Sequence, residues 1–264
     1  MKILRLLHVF LRLRRSGIFY LFINNFNPLF KPLKKPRNIE NNFKETLEEL
    51  GPFFIKFGQL LSTRTDLISL ELASELRNLT DNCESIGFDH IRSAINDGLG
   101  SRAEKILGTI DVVPIASASL AQVHKFNIDG KELVVKVQKP GVTDSINKDI
   151  DALRLGIKLL RLFYSGYPRI NLHNLLNSYE RVIKNELDFR IEAANAKKTF
   201  ENFDKNRLLY VPRIEDEFTT KKILVMEYVD GIPITEVKKL KKYNLNLKKL
   251  SENGVKIFLK QVFE

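Results

Sequence analysis

Cysteine, histidine and tryptophan are nearly absent from this chain. Its 264 residues hold one cysteine, Cys83, four histidines and no tryptophan. A single thiol cannot close an internal disulfide or supply a cysteine-based zinc site. His8, His90, His124 and His173 include no pair at i, i+4, so a histidine metal cluster is not expected. Long apolar runs are scarce as well. The longest charge-free run in the first segment, Ser16 to Phe30, is broken by Asn24, Asn25, Asn27 and Pro28. It falls short of the ~20 mostly apolar residues a spanning helix needs, and no small-residue cleavage site of a secretory leader accompanies it. What remains suits a folded protein: 44% of the residues are apolar and 28% charged, which excludes wholesale disorder.

The net charge of +11 is unevenly placed. Residues 1–40 carry nine basic side chains (Lys2, Arg5, Arg12, Arg14, Arg15, Lys31, Lys34, Lys35 and Arg37) against Glu40 alone, and so hold +8 of that total. The rest of the chain is nearly balanced. Basic residues that alternate with Leu, Val, Ile and Phe suit an anionic membrane surface. They equally suit a helix docked on its own domain. Nucleic acid is a third taker of positive charge, but basic and aromatic residues do not interleave elsewhere, and no nucleic-acid partner is expected.

From 41 to 110 apolar residues recur at helical spacing, as in Phe43, Leu47, Leu50 and Phe54, and again in Phe88, Ile91, Ile95 and Leu99. Pro52 suits a helix start. The character changes at Val112. Ser119–Ile128 and Glu132–Gln138 predict two strands joined by Asp129-Gly130, a strong hairpin signal. Helices are predicted over about 144–165 and 172–203, separated by the Gly166/Pro168 break. Short strands follow at Tyr210–Ile214 and Ile223–Tyr228, and a helix over 244–264. This irregular order predicts an α+β fold rather than a doubly wound sheet.

Several residues could carry chemistry. Lys136 sits inside the apolar run Val134–Val137, which fits a solvent-facing strand position or a site cation. Ala116, Ser117, Ala118 and Ser119 form a small-residue approach to the hairpin, where backbone N–H groups could meet a phosphate or the chain could simply pack tightly. Glu186, Asp188 and Glu192 fall in the predicted helix, with Asp188 and Glu192 at i, i+4 on one face, where most carboxylates are merely solvated. Leu224–Gly231 runs from a strand into a turn. In this order the four features form the amino-terminal lobe of a protein kinase, with its phosphate loop, strand lysine, helix glutamate and hinge. Glu227 and Val229 would offer hinge backbone groups to adenine.

Longer motifs make the likeness specific. Lys56-Phe57-Gly58-Gln59 lies within LGPFFIKFGQLLSTRTDL, the loop reads ASASLAQVH, and Glu186-Leu187-Asp188 precedes Glu192 within ELDFRIEAANA. The chain thus resembles the UbiB family of atypical kinase-like proteins, the ADCK-type or coenzyme Q kinases. The resemblance covers nearly the whole chain. It departs at Thr65, where the family has Pro, and at Thr80–Ile86, which lacks the usual Gln and paired prolines. The family's later His-Ala-Asp catalytic loop and Asp-Phe-Gly metal motif do not occur in these residues.

The resemblance implies a kinase-like lobe over 111–231, preceded by a basic, membrane-proximal segment (1–40) and a helical extension carrying the Lys-x-Gly-Gln motif (41–110). The start of a truncated carboxy-terminal lobe would occupy 232–264. It implies that Lys136 and Glu192 are the catalytic pair, that Ala116–Ser119, Lys136, Glu227 and Val229 bind nucleotide, and that Lys56, Gln59, Glu186 and Asp188 regulate the cleft. ATP and Mg²⁺ are the implied cofactors, with most Mg²⁺ ligands missing from these residues, so no phosphoryl transfer is expected of them alone. Implied partners are a membrane surface or anionic lipid and proteins of ubiquinone biosynthesis, at the cytoplasmic face of a membrane and peripheral to it. The family was once described as the ring-hydroxylating monooxygenase of that pathway, but nothing in the sequence resembles a flavin or iron site. The alternative is a non-catalytic remnant that binds lipid or a partner. Two pairings are expected: Lys136 with Glu192, and Lys56 with Glu186 or Asp188.

Overall fold

A computed structural model describes residues 2–18, 38–79, 83–163, 171–203 and 208–263. The Lys31–Arg37 part of the basic segment and the Gly166/Pro168 break lie outside them. Among the described residues six helices precede the sheet: α1 (Lys2–Ser16), α2 (Ile39–Leu50), α3 (Pro52–Ser62), α4 (Leu70–Leu76), α5 (Phe88–Leu99) and α6 (Ala103–Leu107). Strands β1 (Ala116–Ser117), β2 (Ala121–Ile128) and β3 (Lys131–Gln138) follow, then α7 (Val142–Phe163), α8 (Leu172–Glu186), α9 (Phe189–Phe203), β4 (Ile223–Glu227), α10 (Val237–Lys242) and α11 (Leu247–Phe263). The fold is α+β, with a four-stranded antiparallel sheet in the order β1-β2-β3-β4.

The hairpin forms where the sequence places it. Asp129 and Gly130 both take positive φ, 52° and 79°, the paired left-handed geometry that a two-residue hairpin turn requires. Side chains then alternate across the sheet. Leu133, Val135 and Val137 of β3, with Ile223 and Val225 of β4, pack on Ile91, Ile95 and Ile106 of α5 and α6. The other face carries Ala121 and Leu224 against Phe189 and Ala193 of α9. Lys136 pairs in register with Val123 on one side and Leu224 on the other, which turns it to the α9 face.

A second core joins helices that are far apart in sequence. Val9, Phe43, Leu47, Phe53 and Leu76 pack with Ile146, Ile150, Leu176 and Ile183, so segments on both sides of residue 111 share it. Gly58 lets α3 approach its neighbours: a Cβ there would lie 2.3 Å from Leu79 Cδ1 and 2.6 Å from Leu47 Cδ1.

Helix α1 is docked on this core. Val9 and Ser16 are buried, Arg5 reaches the buried carboxylate of Asp149 on α7, and its Nη2 donates to Leu50 O at 2.7 Å. Lys2–Asp151 and Arg12–Glu49 are further ion pairs. Among the described residues no helix is long and apolar enough to cross a membrane.

Three sequence expectations are corrected. The helix predicted over 172–203 breaks at Leu187–Asp188, because Phe189 N–H donates to Lys221 O at 3.0 Å instead of continuing the helical ladder. Asp188 and Glu192 therefore share no helix face. Tyr210–Ile214 is no strand beyond a single bridge, Ile214 to Met226, since Pro212 lacks the N–H a ladder needs. Ala116–Ser117, expected in a loop, is the edge strand β1.

Candidate nucleotide site

The site is assembled from β3 and the start of α9. Lys136 Nζ donates to both oxygens of Glu192, at 2.9 and 2.8 Å, and lies 5.0 Å from the centre of the Phe189 ring. Glu192 occupies the first turn of α9, where the helix dipole favours a carboxylate. Both side chains remain partly open to solvent. This is a charge-assisted, two-point contact that fixes the ammonium group on the α9 face of the sheet.

A second cation is held on another element. Lys56 Nζ on α3 is 3.5 Å from Glu186 Oε2, at the end of α8. Gln59 Nε2, one turn on, donates to Leu79 O at 3.0 Å. Asp188 does not join Lys56. Its two oxygens accept from Arg190 Nε and Nη2 at 2.8 and 2.6 Å, and Oδ1 also accepts from Arg190 N. The Arg190 hydrogen bonds hold the Asp188 carboxyl below the usual carboxylate range.

The small-residue segment differs from an open phosphate loop. Ala116 and Ser117 pair with Val123 and Gln122 in the ladder, and Ala118 N–H donates to Ala121 O at 2.8 Å. Ser117 Oγ donates to Glu84 O. Ser119 is 3% exposed, and its hydroxyl has no partner among the described residues. At the end of β4, Glu227 N–H is already committed to Arg213 O at 2.9 Å, and the Glu227 carboxylate accepts from Tyr210 and pushes that phenol up. Val229 is exposed.

Sequence reasoning missed a buried polar clamp behind this loop. Gln122 accepts from Ile86 N and donates to Ile86 O, at 2.9 and 3.2 Å, as a strand partner would. Its Nε2 also lies 3.0 Å from His124 Nε2, while His124 Nδ1 lies 2.7 Å from Asp111 O. Burial pushes the His124 imidazole down. Lys139 Nζ donates to Glu84 O at 3.0 Å, and burial lowers its ammonium too. The Gln-x-His spacing on one strand face was the available signal.

Fitness for the implied cofactors is mixed. Lys136, held by Glu192 and still partly open to solvent, carries the charge that the phosphates of a nucleotide need. Among the described residues no group of three or more His, Cys, Asp and Glu side chains could hold a metal ion, so these residues do not by themselves fit Mg²⁺.

Comparison with known proteins assigns the family. The ABC1 atypical kinase-like domain matches residues 78–264. The chain belongs to that family. A probable protein kinase UbiB of Marinobacter nauticus is 40% identical over 218 residues, covering 82% of this chain and 40% of that protein. Its counterpart in Pseudomonas entomophila is 38% identical over 234 residues, covering 88% of this chain and 43% of the relative. The chain thus spans about two fifths of the length of the curated relatives it matches. A solved structure of the Rv3197–erythromycin complex from Mycobacterium tuberculosis superposes with a TM-score of 0.52 at 26% identity, covering 73% of this chain and 49% of that one.

Proposed function

We propose that this ABC1-family chain is the ATP-binding part of a UbiB-type atypical kinase or ATPase that supports ubiquinone biosynthesis, peripheral to the cytoplasmic face of a membrane. The observation that carries the nucleotide side is the two-point contact of Lys136 with Glu192. A strand lysine fixed by a helix carboxylate is how kinases present an ammonium to the α- and β-phosphates. Ala116–Ser119 would lie over those phosphates, with Glu227 and Val229 beside the base. Because Glu227 N–H is already used, its carbonyl and the Val229 backbone are the groups left for adenine. Lys56, with Gln59 securing its helix, would close the front of the cleft against Glu186, and Asp188 would set the turn that aims Glu192. Mg²⁺ would be held by residues beyond those described.

Titration of a fluorescent ATP analogue into residues 1–264 tests this reading. Lys136→Ala removes charge-assisted hydrogen bonds worth about 2 kcal/mol, so its affinity should fall roughly tenfold or more. Glu192→Gln should weaken binding less. Equal affinity of wild type and Lys136→Ala would reduce the pair to a structural ion pair. ATP turnover above the Lys136→Ala background is not expected from these residues, because transfer relies on metal-held charge.

A further inference from the structure

Helix α1 is apolar on two sides. Its inner side seats Val9 and Leu13 on the helical core. Its outer side carries Ile3, Leu4, Leu7, Phe10 and Leu11, between 72% and 43% exposed. Their spacing of i, i+1, i+4, i+7 and i+8 makes one continuous stripe along the helix. Leu4, Leu7, Leu11, Arg12 and Arg15 line a shallow groove beside it.

The charges of α1 divide in the same way. Lys2, Arg5 and Arg12 are spent on Asp151, Asp149 and Glu49. Arg14 and Arg15 in the last turn are exposed, with no carboxylate partner among the described residues. The helix contains no acidic residue. A second copy of the same face would bring arginines against arginines, and like charges at close range repel. A surface that is apolar in depth and anionic at its head group suits both parts at once.

We infer that the outer face of α1, centred on Leu4, Leu7 and Leu11 and flanked by Arg14 and Arg15, is the surface that docks this protein on an anionic lipid bilayer. Held by the Arg5 clamp to Asp149 and Leu50 O, α1 lies on the membrane as part of the folded domain rather than as a loose tail. The inference deepens the membrane part of the function proposed above and rests on it.

Sedimentation of the 264-residue chain with vesicles separates the two. Vesicles of phosphatidylglycerol mixed with phosphatidylcholine should bind the wild type, and phosphatidylcholine alone or high salt should release it. Leu4→Ser with Leu7→Ser, both exposed and so harmless to folding, should abolish binding. Arg14→Gln with Arg15→Gln should weaken it about thirtyfold, from about 1 kcal/mol per cation near an anionic surface. Phe258→Ser on α11 should bind like wild type. If wild type binds neither vesicle, the membrane reading and the α1 face both fall. If wild type binds and the α1 variants bind equally, the membrane reading stands and the α1 face falls. If Leu4→Ser with Leu7→Ser instead dissolves a dimer seen without lipid, a second copy covers the face and the lipid assignment is overturned.

Discussion

The helical half and the sheet half bury their polar groups by different means. In the helical half each helix satisfies its own backbone, so contacts between helices are mostly apolar and the few polar ties are long-range. Tyr179 Oη donates to Phe53 O at 2.7 Å, and Arg5 reaches Asp149 across 144 positions. In the sheet half, segments without regular structure lie against the strands, and side chains must stand in for the missing ladder. Gln122 does this for Ile86, and His124 for Asp111. Irregular backbone is thus satisfied here partly by strand amide and imidazole side chains and partly by strand backbone, as in Asp111 N–H to Lys125 O and Ile115 N–H to Val123 O.

Four perturbations sharpen that contrast. Phe53→Ala empties the centre of the helical half and should cost about 4 kcal/mol. Amide exchange should then accelerate in α2, α3 and α8 before it does in β2 and β3; uniform acceleration would make the two halves one cooperative unit. Asp149→Ala strands Arg5 beside a buried site and should cost about 3 kcal/mol in denaturant unfolding, whereas Arg5→Leu with Asp149→Leu should recover most of it. Gln122→Ala leaves Ile86 N–H and C=O without their partner and should cost about 2 kcal/mol, with exchange quickening at 83–88. The smallest effect is on pH. Because burial lowers the His124 pKa in the fold, its contribution is intact above the unfolded value of about 6.5 and is lost as pH falls through the folded value. Thermal unfolding of His124→Asn should show a flatter acid limb than wild type, and identical slopes would remove His124 from the account.

Legibility in the sequence followed locality. The hairpin could be read because Asp129-Gly130 and its flanking strands are contiguous. Lys136 and Glu192 were legible only through the order of longer motifs, since 56 positions separate them. The Lys56–Glu186 contact, across a longer separation still, came from the same source. The α8–α9 break was hidden, because apolar spacing continues through Leu187 while the amide that ends the helix finds its acceptor at Lys221. The charge pattern of the first segment left both a membrane face and a docked helix open. The structure docks residues 2–16 through carboxylates far along the chain, which no local pattern announces.

The discontinuity of the helical core bears on how the chain is made. Helices α1–α4 leave the ribosome with their apolar faces uncovered, and the covering residues Leu176, Tyr179 and Ile183 follow roughly a hundred residues later, a wait on the order of ten seconds at typical elongation rates. The β2–β3 hairpin emerges within that interval and can close in microseconds. During synthesis that hairpin can thus form before the helical core closes, although β4 completes the sheet only after Ile183 has emerged, and the earlier helices meanwhile wait exposed to chaperones or to a nearby lipid surface.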